Sequence, residues 1–332
     1  MTTNLVCVGA CYLDTILSVP HYPEEDSKLR ASNLQIRRGG NCPNTLQVLQ
    51  QLLRDEYGAN ESADISIRPY LVTCLPRRDG RTTKTIIESF GPDTLVDFSR
   101  CIFRQANQEP ASSYIIRSAA TGSRTLVNYN NLDEMTFQEF VAAVDDLDSE
   151  AATWFHFEGR IPATTLQCVQ WLRRSRPKAR VSVEVEKPGR EGLEELAAVA
   201  DVVFFSRSWA ENKRYKTAEE CLGGQSANVR GGSYLFCTWG SQGAACLLPD
   251  GTTESSPATL PGQTIHVIDS VGAGDTFIAG ILFGFLCHGG DWDLRAKLGF
   301  AVQLATRKVQ QEGLDNLGFE PLGRLTRTVA RE

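Results

Sequence analysis

The chain has 332 residues, of which 42% are hydrophobic and 22% charged, and its formal net charge at pH 7 is −6. This length suffices for one large core with a small appendage, or for two domains. Because binding to a phosphate backbone requires clustered lysine and arginine, the negative net charge argues against a nucleic-acid partner.

We expect neither a secretion signal nor a membrane span in this sequence. Its N-terminal segment has no basic n-region, and the apolar run is interrupted by Asp14. No stretch approaches the ~18 uninterrupted apolar residues that a membrane span requires. The ten cysteines form no C-x-x-C pair, most lie in apolar runs, and the four histidines are far apart, which argues against zinc. We therefore expect a cytoplasmic protein.

The first 130 residues contain strands in which polar and apolar residues alternate. A buried strand at 4–9 precedes them, and a helix at 46–57 separates the first two from the last two. The alternating runs lie at 12–19, 34–37, 112–117 and 125–130. The last two are joined by 118–123, which is typical of a hairpin connection. Alternation of this kind predicts a small sheet with one face in water.

From residue 154 onward the strands are continuously apolar and alternate with amphipathic segments such as 164–174 and 193–200. The apolar strands lie at 154–157, 181–185, 202–205 and 235–238. Strands buried on both faces and separated by helices predict an α/β fold with a doubly wound, mostly parallel sheet flanked by helices. Runs at 244–248 and 266–267 predict an antiparallel ribbon at one edge, and 294–309 predicts a closing helix.

The most informative segment is 269–277 (DSVGAGDTF), which runs directly into the apolar stretch 278–286. Its small residues Gly272, Ala273 and Gly274 leave backbone N–H groups uncovered at a helix N-terminus, where an anion is stabilised. Asp275 lies beside this anion site, as a general base would if it deprotonated a hydroxyl while the N–H groups held a phosphoryl group. The alternative is an Asp that merely caps the helix.

Polar residues near the N-terminus are candidates for binding a polyhydroxy substrate. Asn41 and Asn44 offer amide donors and acceptors to hydroxyl groups, and Gly40 allows a ligand to approach the backbone. The alternative for either asparagine is helix capping. The carboxylates of Asp14 and Asp26 can each accept two hydroxyls, although surface acids in turns are the common alternative.

Two acidic residues, Glu184 and Glu186, alternate on one strand and so share a face near its carboxyl end. Such a pair predicts water-mediated binding of Mg2+, with a solvated sheet edge as the alternative. Arg124, at the end of the hairpin connection, is a cation that can reach a polyphosphate. The loop of Gly240, Ser241, Gln242 and Gly243 follows a buried strand, as nucleotide-binding loops of open sheets do.

Two motifs resemble the signatures of the ribokinase/PfkB family of sugar and nucleoside kinases. The segment 269–277 resembles the D-[ST]-x-G-A-G-D-x-F signature, and Arg38-Gly39-Gly40-Asn41 with Asn44 resembles the N-terminal Gly-Gly-Asn signature. The resemblance implies a ribokinase-like domain over 1–322 and a C-terminal tail over 323–332. A small β lid, built from about 12–38 and 112–130, would cover the substrate and exclude water as a competing acceptor.

The resemblance also implies an activity: ATP-dependent phosphorylation of a primary hydroxyl of a sugar. In this expectation Asp275 is the base, Asp14, Gly40, Asn41 and Asn44 hold the sugar, and Mg2+ accompanies ATP. It further implies a nucleotide role for Arg124 and for the loop 240–243, a homodimer through the lid, and room for a monovalent cation such as K+.

One departure selects a branch within the family. Many members carry an N-x-x-E motif that helps to bind Mg2+, whereas this chain has Ser206, Arg207, Ser208 and Trp209 there. The ketohexokinase (fructokinase) branch also lacks this motif and resembles the segments 22–27, 156–160 and 182–188, so a ketose such as fructose is the expected substrate. The alternatives are a ribose or nucleoside kinase and a non-catalytic sugar or nucleotide sensor.

Overall fold

The computed structural model describes residues 2–58, 66–148, 150–260 and 262–318. The C-terminal tail expected at 323–332, and the domain end expected at 322, lie outside the described residues. Within them the chain forms a large sheet, a separate four-stranded sheet and a two-stranded ribbon. None of the helices in the described part of the chain is long and apolar enough to cross a membrane.

The strands are β1 (Thr3–Val8), β2 (Tyr12–Val19), β3 (Asn33–Gly39), β4 (Ile67–Val72), β5 (Cys74–Leu75), β6 (Ile102–Phe103), β7 (Ser112–Ser118), β8 (Arg124–Tyr129), β9 (Thr153–Phe157), β10 (Arg180–Val185), β11 (Val202–Phe205), β12 (Tyr234–Thr238), β13 (Ala244–Leu247) and β14 (Thr253–Ser256). The α-helices are α1 (Asn41–Tyr57), α2 (Arg81–Glu88), α3 (Phe137–Val144), α4 (Pro162–Ser175), α5 (Leu193–Ala197), α6 (Arg207–Asn212), α7 (Ala218–Gln225), α8 (Ala273–Leu286) and α9 (Leu294–Lys308).

The large sheet confirms the doubly wound α/β prediction. Its order is β14-β13-β12-β11-β10-β9-β1-β4, and every pair from β4 to β12 is parallel. Apolar side chains on one face pack against α1, α8 and α9, and those on the other face pack against α3, α4 and α7. Parallel strands covered on both faces explain why these segments are continuously apolar.

The antiparallel ribbon at the sheet edge differs in part from the sequence prediction. Strand β13 pairs with β14 at Thr253–Ser256, and not with residues 266–267, which form no strand. The prediction of a strand at 266–267 is wrong because the turn at Pro249-Asp250-Gly251 returns the chain at once, with the Gly251 amide donating to the Leu248 carbonyl. A close turn of this kind favours pairing with the adjacent segment.

The four-stranded sheet, here called the lid, contains all four alternating runs in the order β3-β2-β7-β8. Its register aligns Asp14 with Arg37, and Ile16 with Ile115. Because side chains alternate between faces, Asp14, Ile16 and Ile115 share one face and their neighbours project from the other. The register, which the sequence leaves open, therefore decides which apolar residues face water.

Candidate active site

A cleft of about 470 Å³ lies between the lid and the carboxyl ends of β10, β11 and β12. The N-terminus of α8 and the first residues of α1 close it from the side. Open α/β sheets bind their ligands at this end of the strands. Ten residues predicted from the sequence line it: Asp14, Gly40, Asn41, Asn44, Arg124, Glu184, Glu186, Gly272, Gly274 and Asp275.

Asp275 lies in the first turn of α8, and its side chain is buried at the wall of the cleft. The helix begins at Gly272, whose φ of 82° is a left-handed conformation that glycine adopts without strain. The preceding loop is held by Asp269, whose carboxylate accepts bonds from the Val271 amide and from Lys308. The result is a fixed helix N-terminus with a carboxylate beside it.

Asn44 connects α1 to this carboxylate. Its Nδ2 donates to Asp275 Oδ2 over 2.8 Å, and its Oδ1 accepts from Arg38 Nη1 over 3.4 Å. Since the guanidinium can only donate, the amide orientation of Asn44 is defined by both neighbours. One oxygen of Asp275 is thus held in place from α1.

Burial raises the pKa of Asp275 well above its ordinary value, and Glu184 acts in the same direction. The bond from Asn44 lowers this pKa, but Glu186 and Glu158 add to the increase. Buried acids among other carboxylates prefer the protonated form because their charges repel. This arrangement suits a group that exchanges a proton with a ligand.

The Gly-Gly-Asn segment shapes the opposite corner of the cleft. Gly40 has a φ of 109°, and a Cβ built there would lie 2.1 Å from the Ala10 carbonyl oxygen. A Cβ at Gly39 would lie 2.7 Å from Asp14 Oδ2. Gly40 therefore requires glycine, whereas a side chain at Gly39 would displace the Asp14 carboxylate from its position. Asp14 Oδ1 is buried without a hydrogen-bond partner among the described residues, although its carboxylate lines the cleft.

The two strand carboxylates are bridged by one amide. Asn41 Nδ2 donates to Glu184 Oε2 over 2.7 Å and to Glu186 Oε2 over 2.9 Å. Burial raises the pKa of Glu184 to about 8, which the Asn41 bond opposes and the charge of Glu186 reinforces. The excess of negative charge is what a divalent cation would relieve, so these carboxylates fit Mg2+.

A buried group behind Glu184 was not predicted from the sequence. The ligand atoms of Cys42, His156 and Glu184 all lie within 4.8 Å of one another. His156 Nε2 lies 3.1 Å from Glu184 Oε1, and its Nδ1 lies 2.9 Å from Ser182 Oγ. These residues come from three different elements, so their spacing along the chain gives no signal.

Some predicted residues do not line the cleft. Asp26 is exposed in the connection between β2 and β3, with a φ of 59°. The turn containing Gly240, Ser241, Gln242 and Gly243 caps the end of β12, and a Cβ at Gly243 would lie 1.9 Å from the Ser256 carbonyl oxygen. Ala273 lies between two lining residues, but its amide donates to the Ser270 carbonyl oxygen over 3.3 Å.

Other lining residues escaped prediction. Arg37 faces the cleft opposite Asp14 and forms an ion pair with Asp269 over 3.4 Å. The sequence pattern that could have predicted Arg37 is the alternation along β3, which places this residue on the same face as Asp14. Lys187 adds an exposed cation next to Glu186. Ser206 replaces the asparagine of the missing N-x-x-E motif, and its Oγ both accepts the Trp209 amide and donates to the Glu186 carbonyl oxygen.

Comparison with known proteins decides the family. A family model described as pfkB family carbohydrate kinase matches residues 2–320. The chain belongs to the PfkB family of carbohydrate kinases. This PfkB kinase is also 32% identical to the mouse ketohexokinase over 321 residues, which cover 95% of the chain and 98% of that relative.

Solved structures of other proteins share the fold of this kinase. The ribokinase of Arabidopsis thaliana, solved with ribose and ATP, is 16% identical and aligns over 100% of both chains with a TM-score of 0.74. The ribokinase of Thermotoga maritima is 16% identical and aligns over 94% of this chain and 95% of its own with a TM-score of 0.70. The PfkB kinase therefore has the ribokinase-like fold that its two motifs implied.

Proposed function

We propose that this kinase transfers the γ-phosphoryl group of ATP to a primary hydroxyl of a ketose such as fructose. One observation carries the proposal: the buried carboxylate of Asp275 lies at the N-terminus of α8, beside cleft-lining Gly272 and Gly274. A proton acceptor and an anion-stabilising helix end thereby meet at one point. Phosphoryl transfer to a hydroxyl needs both.

In the proposed reaction Asp275 accepts the proton of the sugar hydroxyl as its oxygen attacks the γ-phosphorus. The bond from that phosphorus to the oxygen bridging to the β-phosphate breaks, and ADP leaves with the electron pair. The N–H groups of Gly272 and Gly274 stabilise charge on the transferring group. Ala273, the third predicted donor, would have to exchange its bond to the Ser270 carbonyl oxygen for one to the phosphoryl group. Because Asn44 already occupies Oδ2, Oδ1 is the oxygen available to the substrate.

The raised pKa of Asp275 has a consequence for this step. A carboxyl held protonated by neighbouring charges must lose its proton before it can act as a base. Mg2+ near Glu184 and Glu186 would neutralise two of those charges and lower the pKa of Asp275. Bound with ATP, Mg2+ would also offset the charge of the phosphates.

The sugar contacts follow from donors and acceptors left free. Asp14 Oδ1 is a buried acceptor without a partner among the described residues, so a sugar hydroxyl that donates to it would remove the cost of leaving it unsatisfied. Asn41 donates its amide hydrogens to Glu184 and Glu186. Only its Oδ1 remains, and it can accept a hydroxyl but cannot donate.

The nucleotide would lie over the sheet ends beyond the anion site. Arg124 and Lys187 line the cleft as exposed cations and would approach the phosphates from the lid and from β10. The turn of residues 240–243 at the end of β12 would then contact the nucleotide at the edge of the cleft. Asp26, exposed outside the cleft lining, stays a prediction as a sugar ligand.

The choice of a ketose rests on the 32% identity to a ketohexokinase over nearly the whole chain and on the absence of N-x-x-E. A coupled ADP-release assay across ketoses, aldoses, ribose and nucleosides tests it. Fastest turnover with a ketose supports the proposal, and preference for ribose or a nucleoside supports the first alternative. Binding of sugar and ATP without ADP release would establish a sensor. Replacing K+ with N-methylglucamine in the same assay tests for a monovalent activator.

The outer face of the lid supports a homodimer. Six large apolar side chains on this face are between 37% and 63% exposed: Leu17, Leu34, Ile36, Tyr114, Val127 and Tyr129. A small sheet with an apolar face in water is unstable alone, and a second lid would cover that face. Light scattering at micromolar concentration should give a dimer mass; a monomer with full activity would refute this assembly.

All ten cysteines are free thiols, and eight of them are buried. Free thiols in this number fit a reducing compartment, because oxidising compartments favour disulfides. We accordingly propose the cytoplasm as the location. Fractionation of cells that express the full-length chain tests this.

A further inference from the structure

A chain of buried polar side chains runs behind the acidic pair, where the hydrophobic core would be expected. Trp154, His156 and Ser182 are 3%, 0% and 0% exposed. They lie on adjacent parallel strands, with Ser182 opposite His156 in the β9–β10 register. Buried polar groups cost stability unless they are paired, so their arrangement has to be accounted for.

The distances favour one arrangement of the hydrogens. Trp154 Nε1, which can only donate, gives its hydrogen to Ser182 Oγ over 2.8 Å. The Ser182 hydroxyl then has one hydrogen and two acceptors within reach, namely His156 Nδ1 at 2.9 Å and the Phe155 carbonyl oxygen at 3.5 Å. The shorter contact assigns that hydrogen to a bond with Nδ1.

A neutral imidazole that accepts at Nδ1 carries its own hydrogen at Nε2. That hydrogen points to Glu184 Oε1, 3.1 Å away. The other oxygen, Oε2, accepts from Asn41. In the ionised form that would bind a cation, both oxygens of Glu184 are therefore fixed by donors, one from β9 and one from α1.

We propose that His156, oriented by Ser182 and Trp154, is a positioning residue that fixes the Glu184 carboxylate for the divalent cation of the reaction. The rings of His156 and Phe204 also pack in a T-shaped arrangement, with centroids 5.9 Å apart, which limits rotation of the His156 ring. Second-shell partners of this kind orient the groups that hold a cation. The inference rests on the proposed function, since that function places the cation at Glu184 and Glu186.

The test compares two substitutions at one position. In His156→Gln, the amide Nε2 can still donate toward Glu184 Oε1. In His156→Leu, an apolar side chain without a donor takes its place. We expect His156→Leu to weaken binding of Mn2+ alone to the nucleotide-free protein by about tenfold, measured from the EPR signal of free Mn2+. His156→Gln should stay within about threefold of wild type. His21, which is exposed, gives the control pair His21→Leu and His21→Gln, with no change expected.

Kinetics add a readout that a merely structural role would not produce. The Mg2+ concentration for half-maximal rate should rise about tenfold in His156→Leu while the sugar KM changes less than twofold. Equal Mn2+ affinity in the Leu and Gln variants of an active kinase would overturn the inference and leave the proposed function intact. If wild type did not phosphorylate sugars but the Leu and Gln variants still differed in Mn2+ affinity, the proposed function would be overturned and the positioning role of His156 would stand.

The wild-type protein also provides a direct measurement of where the hydrogen of the His156 ring lies. With 15N-labelled histidine, the two ring nitrogens of His156 can be assigned by loss of their signals in His156→Gln. In the presence of Mg2+ and a non-hydrolysable ATP analogue, the chemical shifts should show the hydrogen on Nε2. A hydrogen on Nδ1 would contradict the donor role toward Glu184.

Discussion

The two walls of the cleft are built differently. On the wall formed by the main sheet and its helices, the carboxylates of Asp275 and Glu184 are held by Asn44, Asn41 and His156. On the lid wall, Asp14 keeps a buried oxygen without a partner among the described residues, and Arg124 is exposed. The carboxylates of the first wall are paired before any ligand binds, whereas on the lid wall Arg37 is paired with Asp269 but Asp14 Oδ1 has no partner among the described residues.

This difference separates two tasks. Groups that carry out chemistry must be held in position before the transition state forms, because reorganisation then costs rate. Groups that select and enclose a substrate gain their partners when it binds. The main-sheet wall should therefore control turnover, and the lid wall should control affinity and assembly.

The strongest test of whether the main-sheet wall controls turnover is Asp275→Asn. The amide keeps the size of the side chain and can still bond with Asn44, but it cannot accept the proton. We expect kcat to fall by ~10²–10⁴ while ATP binding persists. Steady-state kinetics with calorimetric ATP titration measure both, and near wild-type turnover would remove Asp275 from the role of base.

Assembly through the lid is tested by Val127→Glu. Val127 is 63% exposed on the outer face, so in a dimer the substitution would bury an unpaired charge, and we expect the dimer to dissociate at micromolar concentration. Asn128→Glu adds the same charge at the next residue of β8, on the opposite face, and should leave the mass unchanged. Light scattering of both variants makes the comparison; equal masses would exclude this face.

Affinity for the sugar is tested at Asp14 and Asn41. Asp14→Ala should weaken sugar binding by ~1–3 kcal/mol and leave ATP binding unchanged, because it removes a partner of a buried hydroxyl. Asn41→Ala should weaken sugar binding too, and should also raise the Mg2+ requirement, since Asn41 bridges Glu184 and Glu186. Asp79→Ala, at an exposed ion pair, is the control. Unchanged sugar affinity in calorimetry would place both residues outside the pocket.

Stability as a function of pH tests the electrostatics of the main-sheet wall. Burial raises the pKa of Glu184 from its ordinary value of 4.5 to about 8. Because folding raises this pKa, protonation of Glu184 contributes fully to the stability of the folded protein below the pKa of the unfolded state. That contribution is lost as the pH rises through about 8. Relative to Glu184→Gln, metal-free wild type should therefore lose on the order of 1–3 kcal/mol between pH 5 and pH 9. Parallel melting curves of the two proteins across this range would contradict the raised pKa.

Much of the fold was predictable because it depends on local pattern. Continuous apolar strands separated by helices are favoured only where a parallel sheet is covered on both faces, as β9 to β12 are. The alternating runs predicted the lid for the same kind of reason. The strand expected at 266–267 failed because a tight turn made a nearer pairing available to β13.

The candidate site divides in the same way. Gly272, Gly274 and Asp275 lie within four consecutive residues, so sequence alone brings a predicted anion site and a carboxylate together at a helix N-terminus. Gly40 precedes a helix in a conformation that only glycine adopts readily, and this too is a local property. Sequence by itself thus determined the fold class and the position of Asp275 beside a glycine-rich helix N-terminus, from which its role as base is predicted.

Only the tertiary structure decided which residues distant in sequence contact one another. Asn41 and Glu184 are 143 residues apart, and Asn44 and Asp275 are 231 apart, so no spacing rule connects them. The lid register placed Tyr114 and Val127 outward, and strand pairing set His156 beside Glu184. The raised pKa values of Glu184 and Asp275 likewise come from burial and from the proximity of carboxylates on separate elements, and both of these exist only once the chain has folded.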